Sequence, residues 1–204
     1  MSLPLPSLLV ISDRSQARAP LDEIAAGLFA GGCRWFSLRE KDLPAAERLD
    51  LLKKLVALGA TWGATITVHD DIDAALQAGA AGVHLPAGAS VEHARARLGA
   101  TALIGQSAHD SGEIARAADA GADYVTLSPI FLSASKPGYG PALGIDLFRI
   151  PAPLPMIALG GIGPDNARAC LDAGAAGVAT MGGAMSARDP AVYAAALLAA
   201  MVQR

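Results

Sequence analysis

At 204 residues, with 52% hydrophobic and only 4% aromatic side chains, the chain can bury one sizeable core built from Ala, Leu, Val and Ile rather than from rings. A net charge of −3 without any basic run excludes a mainly electrostatic nucleic-acid binder, which needs a basic face. No uninterrupted apolar stretch reaches the roughly 18 residues of a membrane span, so no membrane partner is expected. MSLPLPSLLVIS lacks the basic n-region of a signal peptide, and a cytoplasmic location is expected.

In chain order, the first apolar run is LLVIS (8–12), ending at Asp13. RWFSL (34–38) follows and leads into Arg39, Glu40 and Lys41. ITVHD (66–70) closes on His69 and Asp70, and GVHL (82–85) carries His84. ALIGQS (102–107) ends at Ser107 with His109 just beyond, and YVTL (124–127) precedes a long Pro/Gly-rich stretch. MIALGG (156–161) and GVAT (177–180) come last. Runs of this length between helical stretches read as buried strands of a parallel sheet.

One phrase recurs along the chain. Alanine-rich helical stretches stop at Gly31, Gly79, Gly121 and Gly174, where glycine is expected to take the left-handed conformation of a helix C-cap. An apolar run starts within a few residues of each stop, too soon for a hairpin. Every run but the sixth is followed by a helical pattern. Eight strand–helix pairs predict a compact (β/α)8 TIM barrel, a single domain over residues 1–204 at about 25 residues per unit. An open doubly wound sheet needs a switch point and usually a GxGxxG fingerprint, which is absent.

In such a barrel the functional groups stand at the C-terminal strand ends and in the loops that follow. That rule collects Asp13, Arg39, Glu40, Lys41, His69, Asp70, His84, Ser107 and His109. It also collects Ser133, Ser135 and Lys136 from the loop SPIFLSASKPGYGPALG (128–144), which suits an active-site lid. GGIGPDN (160–166) enters a helix expected to start near Pro164, and MGGAM (181–185) offers a second set of bare amides. Together they read as a phosphate cradle; glycine that merely relieves crowding is the alternative.

Several residues have blander readings. Cys33 and Cys170 form no CxxC pair and are expected to be buried thiols. His93 lies in a helical stretch and is expected to be solvated. His69, Asp70 and His84 sit on neighbouring strand ends, but their spacing matches no zinc motif. Asp70-Asp71 is also compatible with a helix start. Glu40 is expected to pair with a neighbouring cation. Alanine-rich AVYAAALLAAMV (191–202) fits self-association into a homo-oligomer as well as closure of the barrel's own helical ring.

With these stretches in hand, the chain resembles the thiamine phosphate synthase superfamily, which includes the thiazole tautomerases. The resemblance rests on VISD (10–13), LREK (38–41), VHDDIDAAL (68–76), GVHLP (82–86), IGQSAH (104–109), SPIFLSASK (128–136), IALGGIGPDN (157–166) and AGAAGVATMGGAM (173–185). It implies a TIM barrel that binds a thiazole phosphate. In the synthase branch, that thiazole displaces diphosphate from an aminopyrimidine diphosphate with Mg2+ assisting. The resemblance then implies that Arg39, Lys41 and Lys136 grip diphosphate, and that Asp70 holds magnesium. Ser107 would lie near the pyrimidine, and Ser133 and Ser135 would contact the thiazole phosphate with amides at Gly161, Met181 and Gly182. His69 belongs to the same substrate-binding set.

The sequence departs from that pattern in three places. Ser37 and His69 stand where the synthase usually has Gln and Asn. The second acidic magnesium ligand is missing, because LPAGAS (85–90) contains no carboxylate. That stretch looks more like the tautomerase branch, so the leading expectation is a metal-free thiazole tautomerase. Its general acid/base is His109, with Arg39 and Lys136 as further catalytic residues. The alternative is the Mg2+-dependent synthase, for which Lys41 and Lys136 speak. A second alternative is a non-catalytic binder of thiazole or thiamine phosphate, against which the joint presence of Arg39, Lys41, His109 and Lys136 stands.

Overall fold

The computed structural model describes residues 2–132 and 141–202. Eight parallel strands close into a barrel in chain order: β1 (Leu8–Ile11), β2 (Trp35–Leu38), β3 (Thr65–His69), β4 (Gly82–Leu85), β5 (Leu103–Ala108), β6 (Tyr124–Leu127), β7 (Met156–Ala158) and β8 (Gly177–Thr180), with β8 pairing back onto β1. Around them lie α1 (Leu21–Ala30), α2 (Ala45–Trp62), α3 (Ile72–Ala78), α4 (Val91–Leu98), α5 (Ser111–Asp119), α6 (Ala167–Ala173), α7 (Gly182–Met185) and α8 (Pro190–Val202). Between β6 and β7 the described chain forms only a 3-10 turn, Asp146–Arg149, where the Pro/Gly-rich stretch gives no helical pattern. The expected (β/α)8 barrel is the observed fold.

Strand side chains alternate between two cores because successive Cβ atoms point to opposite faces. Leu8, Val10, Phe36, Leu38, Val68, Val83 and Ile104 face the helices. Leu9, Ile11, Trp35, Leu103, Tyr124, Ile157 and Ala179 form a separate cluster inside the barrel. The inward series continues upward into polar residues on β2 to β6: Ser37 beside Thr67, His69 beside His84, and Ser107 beside Thr126. Ser37, Thr67, His84 and Thr126 are all buried, so the barrel interior is oily towards one end and hydrogen-bonding towards the other.

Two glycines are needed where elements press together. Gly31 has φ −77, so it is not the left-handed cap expected; Gly32 takes that conformation at φ 99. Gly31 is instead a contact point, since an added Cβ would lie 2.3 Å from the carbonyl oxygen of Ala191 in α8. Gly105, inside the barrel on β5, lies under the Tyr124 ring, whose Cζ would be 2.0 Å from an added Cβ. Gly79 and Gly174 are left-handed caps as expected, and Gly121 has φ 86 just past the end of α5. Helix α8 packs against α1 and α6 and closes the helical ring, while Ala195, Ala196 and Ala199 on it stay exposed. Cys33 and Cys170 are buried free thiols, each pushed up to about 11 by burial. His93 is exposed on α4. No described helix is long and apolar enough to cross a membrane.

Candidate active site

The mouth at the C-terminal strand ends is organised around Arg39. Its backbone N–H donates to Ser12 Oγ at 2.8 Å, fixing the chain as it leaves β2. Its charge is felt by Asp13, His69 and His84, which places the guanidinium within electrostatic reach of β1, β3 and β4. Glu40 turns inward and is 3% exposed. It accepts the Arg14 backbone N–H at 3.1 Å and faces the Arg14 guanidinium at 3.8 Å, while burial raises its pKa. The expected internal pairing of Glu40 is therefore with Arg14, and it braces the loops after β1 and β2. Lys41 is exposed, and its charge also reaches His69.

Asp70 and Asp71 divide the roles that the sequence leaves open. Asp71 is the N-cap of α3, accepting the Ala74 N–H at 2.8 Å and pairing with Arg48 at 2.7 Å. Asp70 does not cap. It is exposed, adopts a left-handed φ of 52, and donates its N–H to the His84 carbonyl at 3.0 Å. Its carboxylate has no partner among the described residues. A non-glycine residue in that conformation costs of order 1 kcal/mol or more, and such positions cluster at functional sites.

The two histidines beside it are neutral. His69 and His84 stack with centroids 6.1 Å apart. Burial above all, then the charges of His84, Lys41 and Arg39, holds His69 down to about 3; burial and then Arg39 hold His84 down to about 4. His69 Nε2 is buried with no hydrogen-bond partner among the described residues, so any role of His69 with an anion is that of a neutral hydrogen-bonding group. His84 lies between Tyr124 Oη, 3.1 Å from Nδ1, and the hydroxyls of Ser107 and Thr126, 3.1 and 3.2 Å from Nε2. Tyr124 and Thr126 were not singled out from the sequence, although alternation along YVTL puts both inside the barrel. Among the described residues no group of three His, Cys, Asp or Glu side chains is placed to hold a metal ion.

His109 stands one residue past β5. Its Nδ1 is 3.0 Å from Glu113 Oε2, and its backbone N–H donates to the same oxygen at 2.7 Å. Glu113 is not among the residues that the strand-end rule collects; its spacing of four residues from His109 is the signal in the sequence that links the two. Asp110 caps α5 by accepting the Glu113 N–H.

On the opposite side of the mouth, Gly160 and Gly161 have φ 96 and 66. The loop after β6 lies against them: Phe131 donates its N–H to the Gly160 carbonyl, and an added Cβ at Gly161 would be 2.9 Å from the Leu132 oxygen. Crowding therefore requires glycine here, and that does not preclude a cradle. The expected helix start at Pro164 lies three residues too early; α6 begins at Ala167 with Asn166 as N-cap. Asn166 instead folds the glycine loop, accepting the Gly163 N–H at 3.0 Å and donating to the Gly161 carbonyl at 2.8 Å. Met181 is the N-cap of α7, so Gly182 and Gly183 lead its first turn, where N–H groups have no intrahelical acceptor. Ser133, Ser135 and Lys136 lie outside the described residues. The ends of their loop are joined by Leu143 N–H to the Pro129 carbonyl at 2.8 Å and Gly144 N–H to the Ile130 carbonyl at 3.1 Å.

The depressed histidines make stability depend on pH. An unfolded chain protonates both near 6.5, whereas the folded chain does so only at about 3 and about 4. Below pH 6.5 the unfolded state binds more protons, so their contribution, fully present above that pH, is lost as pH falls towards 3. The urea midpoint is expected to drop between pH 7 and pH 4, and His69→Gln is expected to flatten that slope. An unchanged slope in the variant would refute the assignment.

A family model described as thiamine monophosphate synthase matches residues 8–184. A putative thiamine-phosphate synthase from Geobacter sulfurreducens is 42% identical over 203 residues, spanning 97% of this chain and 95% of the relative. A thiamine-phosphate synthase from Chromobacterium violaceum is 41% identical over 183 residues, spanning 88% of each. Among solved structures, a thiamine phosphate pyrophosphorylase from Pyrococcus furiosus superposes with a TM-score of 0.84 at 28% identity, covering 96% of this chain and 95% of that one. The two sequence relatives carry synthase names and the solved structure a pyrophosphorylase name, which backs the alternative drawn from the sequence over its leading tautomerase expectation. By the match over residues 8–184 and the identity along nearly its whole length, this chain is an enzyme of the thiamine monophosphate synthase family.

Proposed function

We propose that the chain joins a thiazole phosphate to an aminopyrimidine diphosphate and releases diphosphate, forming thiamine phosphate. The observation that carries this reading is Asp70, an exposed carboxylate without a partner among the described residues, held in left-handed backbone at the end of β3, the strand paired with the one that leads into Arg39 and Lys41. A metal-assisted diphosphate departure uses that arrangement, whereas a proton transfer within a thiazole has no need of it.

The residues fit a magnesium ion that arrives with its substrate rather than one held in a preformed cage. Mg2+ keeps several waters and is commonly held by one or two carboxylates plus substrate phosphates, so Asp70 suffices where LPAGAS (85–90) supplies no second carboxylate. When bound, the ion neutralises charge on the leaving diphosphate. Arg39, Lys41 and Lys136 would do the same from the protein side, and at the half-buried Arg39 fixed charge is worth more than in water. The neutral His69 and His84 line the interior without repelling a pyrimidinylmethyl cation as it forms. Amides at Gly161, Met181 and Gly182, with Ser133 and Ser135, would seat the thiazole phosphate. His109, oriented by Glu113, stands ready for proton transfer to or from either substrate.

The test is to supply both reactions to one preparation. Thiamine phosphate should form from the two diphosphorylase substrates in the presence of Mg2+, and a thiazole carboxylate phosphate should not be isomerised. Asp70→Asn is expected to lower the synthase rate about 100-fold at fixed Mg2+, with partial recovery at higher Mg2+. Isomerisation without thiamine phosphate formation, or an Asp70→Asn variant at full rate, would sink the reading.

A further inference from the structure

A hydrogen-bonded chain crosses the barrel interior and reaches the mouth at Ser107. It starts at Tyr124, which is fully buried. The Tyr124 ring meets Trp35 edge-on at 4.8 Å and covers Gly105, so its phenol has a fixed direction. That phenol lies 3.1 Å from His84 Nδ1. On the far side of the imidazole, Nε2 is 3.1 Å from Ser107 Oγ and 3.2 Å from Thr126 Oγ1.

Neutral imidazole has one N–H and one bare nitrogen, and burial keeps both His84 neutral and Tyr124 protonated. A phenol is more acidic than an aliphatic hydroxyl, hence the stronger donor and the weaker acceptor. The match that uses each group best has the Tyr124 O–H donating to Nδ1. The imidazole proton then sits on Nε2 and is shared by the oxygens of Ser107 and Thr126. Thr126 is sealed inside, but Ser107 is only half-buried. With one lone pair engaged from behind, Ser107 has its proton and its second lone pair left for the mouth.

We propose that His84 is a positioning residue which, oriented by Tyr124, anchors Ser107 Oγ from behind and so fixes where the hydroxyl meets the ligand. That the ligand there is the aminopyrimidine rests on the synthase reading, whereas the imidazole tautomer does not.

The tautomer is read directly by nitrogen NMR of the wild-type protein labelled in its histidines, without ligand. The expected spectrum assigns the His84 proton to Nε2; a proton on Nδ1 overturns the proposal. Tyr124→Phe keeps the ring on Gly105 and Trp35 while removing the phenol. It is expected to raise KM for the aminopyrimidine diphosphate about five- to tenfold, roughly one hydrogen bond's worth, with KM for the thiazole phosphate unchanged. In a Ser107→Ala background the same change should have no further effect. An equal loss in both backgrounds, or lost stability with unaltered KM, contradicts a positioning role. A wild type that shows the Nε2 proton yet makes no thiamine phosphate refutes the synthase reading and upholds the tautomer assignment.

Discussion

Arg39→Ala is expected to lower kcat/KM for the aminopyrimidine diphosphate about 100- to 1000-fold, the cost typical of removing one group aimed at developing charge. Arg39 is half-buried and its charge is felt on three strand ends of the mouth, where water cannot fully screen it. Its backbone contact to Ser12 survives the substitution because the donor is the peptide N–H. The urea midpoint should therefore move little while the rate collapses. Arg39→Lys is expected to recover only part of the loss, since an ammonium gives a point charge without the planar fork. Retention of kcat/KM within a few-fold in Arg39→Ala would remove Arg39 from the diphosphate site.

The second large effect is on stability. Gly105→Ala puts a methyl group where the Tyr124 ring already lies, with Cζ 2.0 Å away and the two Cε atoms 2.4 and 2.5 Å away. The ring has no simple retreat, because Trp35 meets it at 4.8 Å and His84 at 5.6 Å between centroids. Overpacking of this kind typically costs about 1–3 kcal/mol and occasionally more; this site is expected at or above the top of that range. Tyr124→Leu is destabilising alone, because it removes a buried ring and a hydrogen bond. Combined with Gly105→Ala it should nevertheless cost clearly less than the sum of the two, since the smaller side chain vacates the space the methyl needs. Simple additivity of the urea-derived losses would show that the ring is not the obstacle.

Much of this protein is legible in its sequence because the barrel is periodic. Short apolar runs alternate with helical stretches, parallel strands need helical crossovers, and the C-terminal strand ends are a fixed address for functional groups. Arg39, Lys41, Asp70, Ser107 and His109 follow from that address alone. Where the reading failed, the missing information was spatial. Gly31 looks like a left-handed cap in one dimension, but its reason is the approach of α8, some 160 residues later in the chain. Asp70 and Asp71 are equivalent as letters; only the position of Arg48 and the start of α3 give the capping role to Asp71.

The choice between branches also turned on something local pattern weighs poorly. The missing carboxylate in LPAGAS (85–90) reads as lost metal chemistry, yet similarity along nearly the whole chain points to the synthase. Mg2+ is commonly held by one or two carboxylates plus substrate phosphates, so the missing residue does not by itself decide against the synthase. By itself, then, the sequence determined the strand count, the parallel order and the identity of the rim residues, because these depend on hydrophobic period and chain connectivity. Tertiary structure alone decided the protonation and partners of those residues: which histidines are neutral, which aspartate is free, and how Tyr124, His84 and Ser107 join into one chain. Those properties depend on burial and on distances between strands far apart in sequence, and no local pattern encodes either.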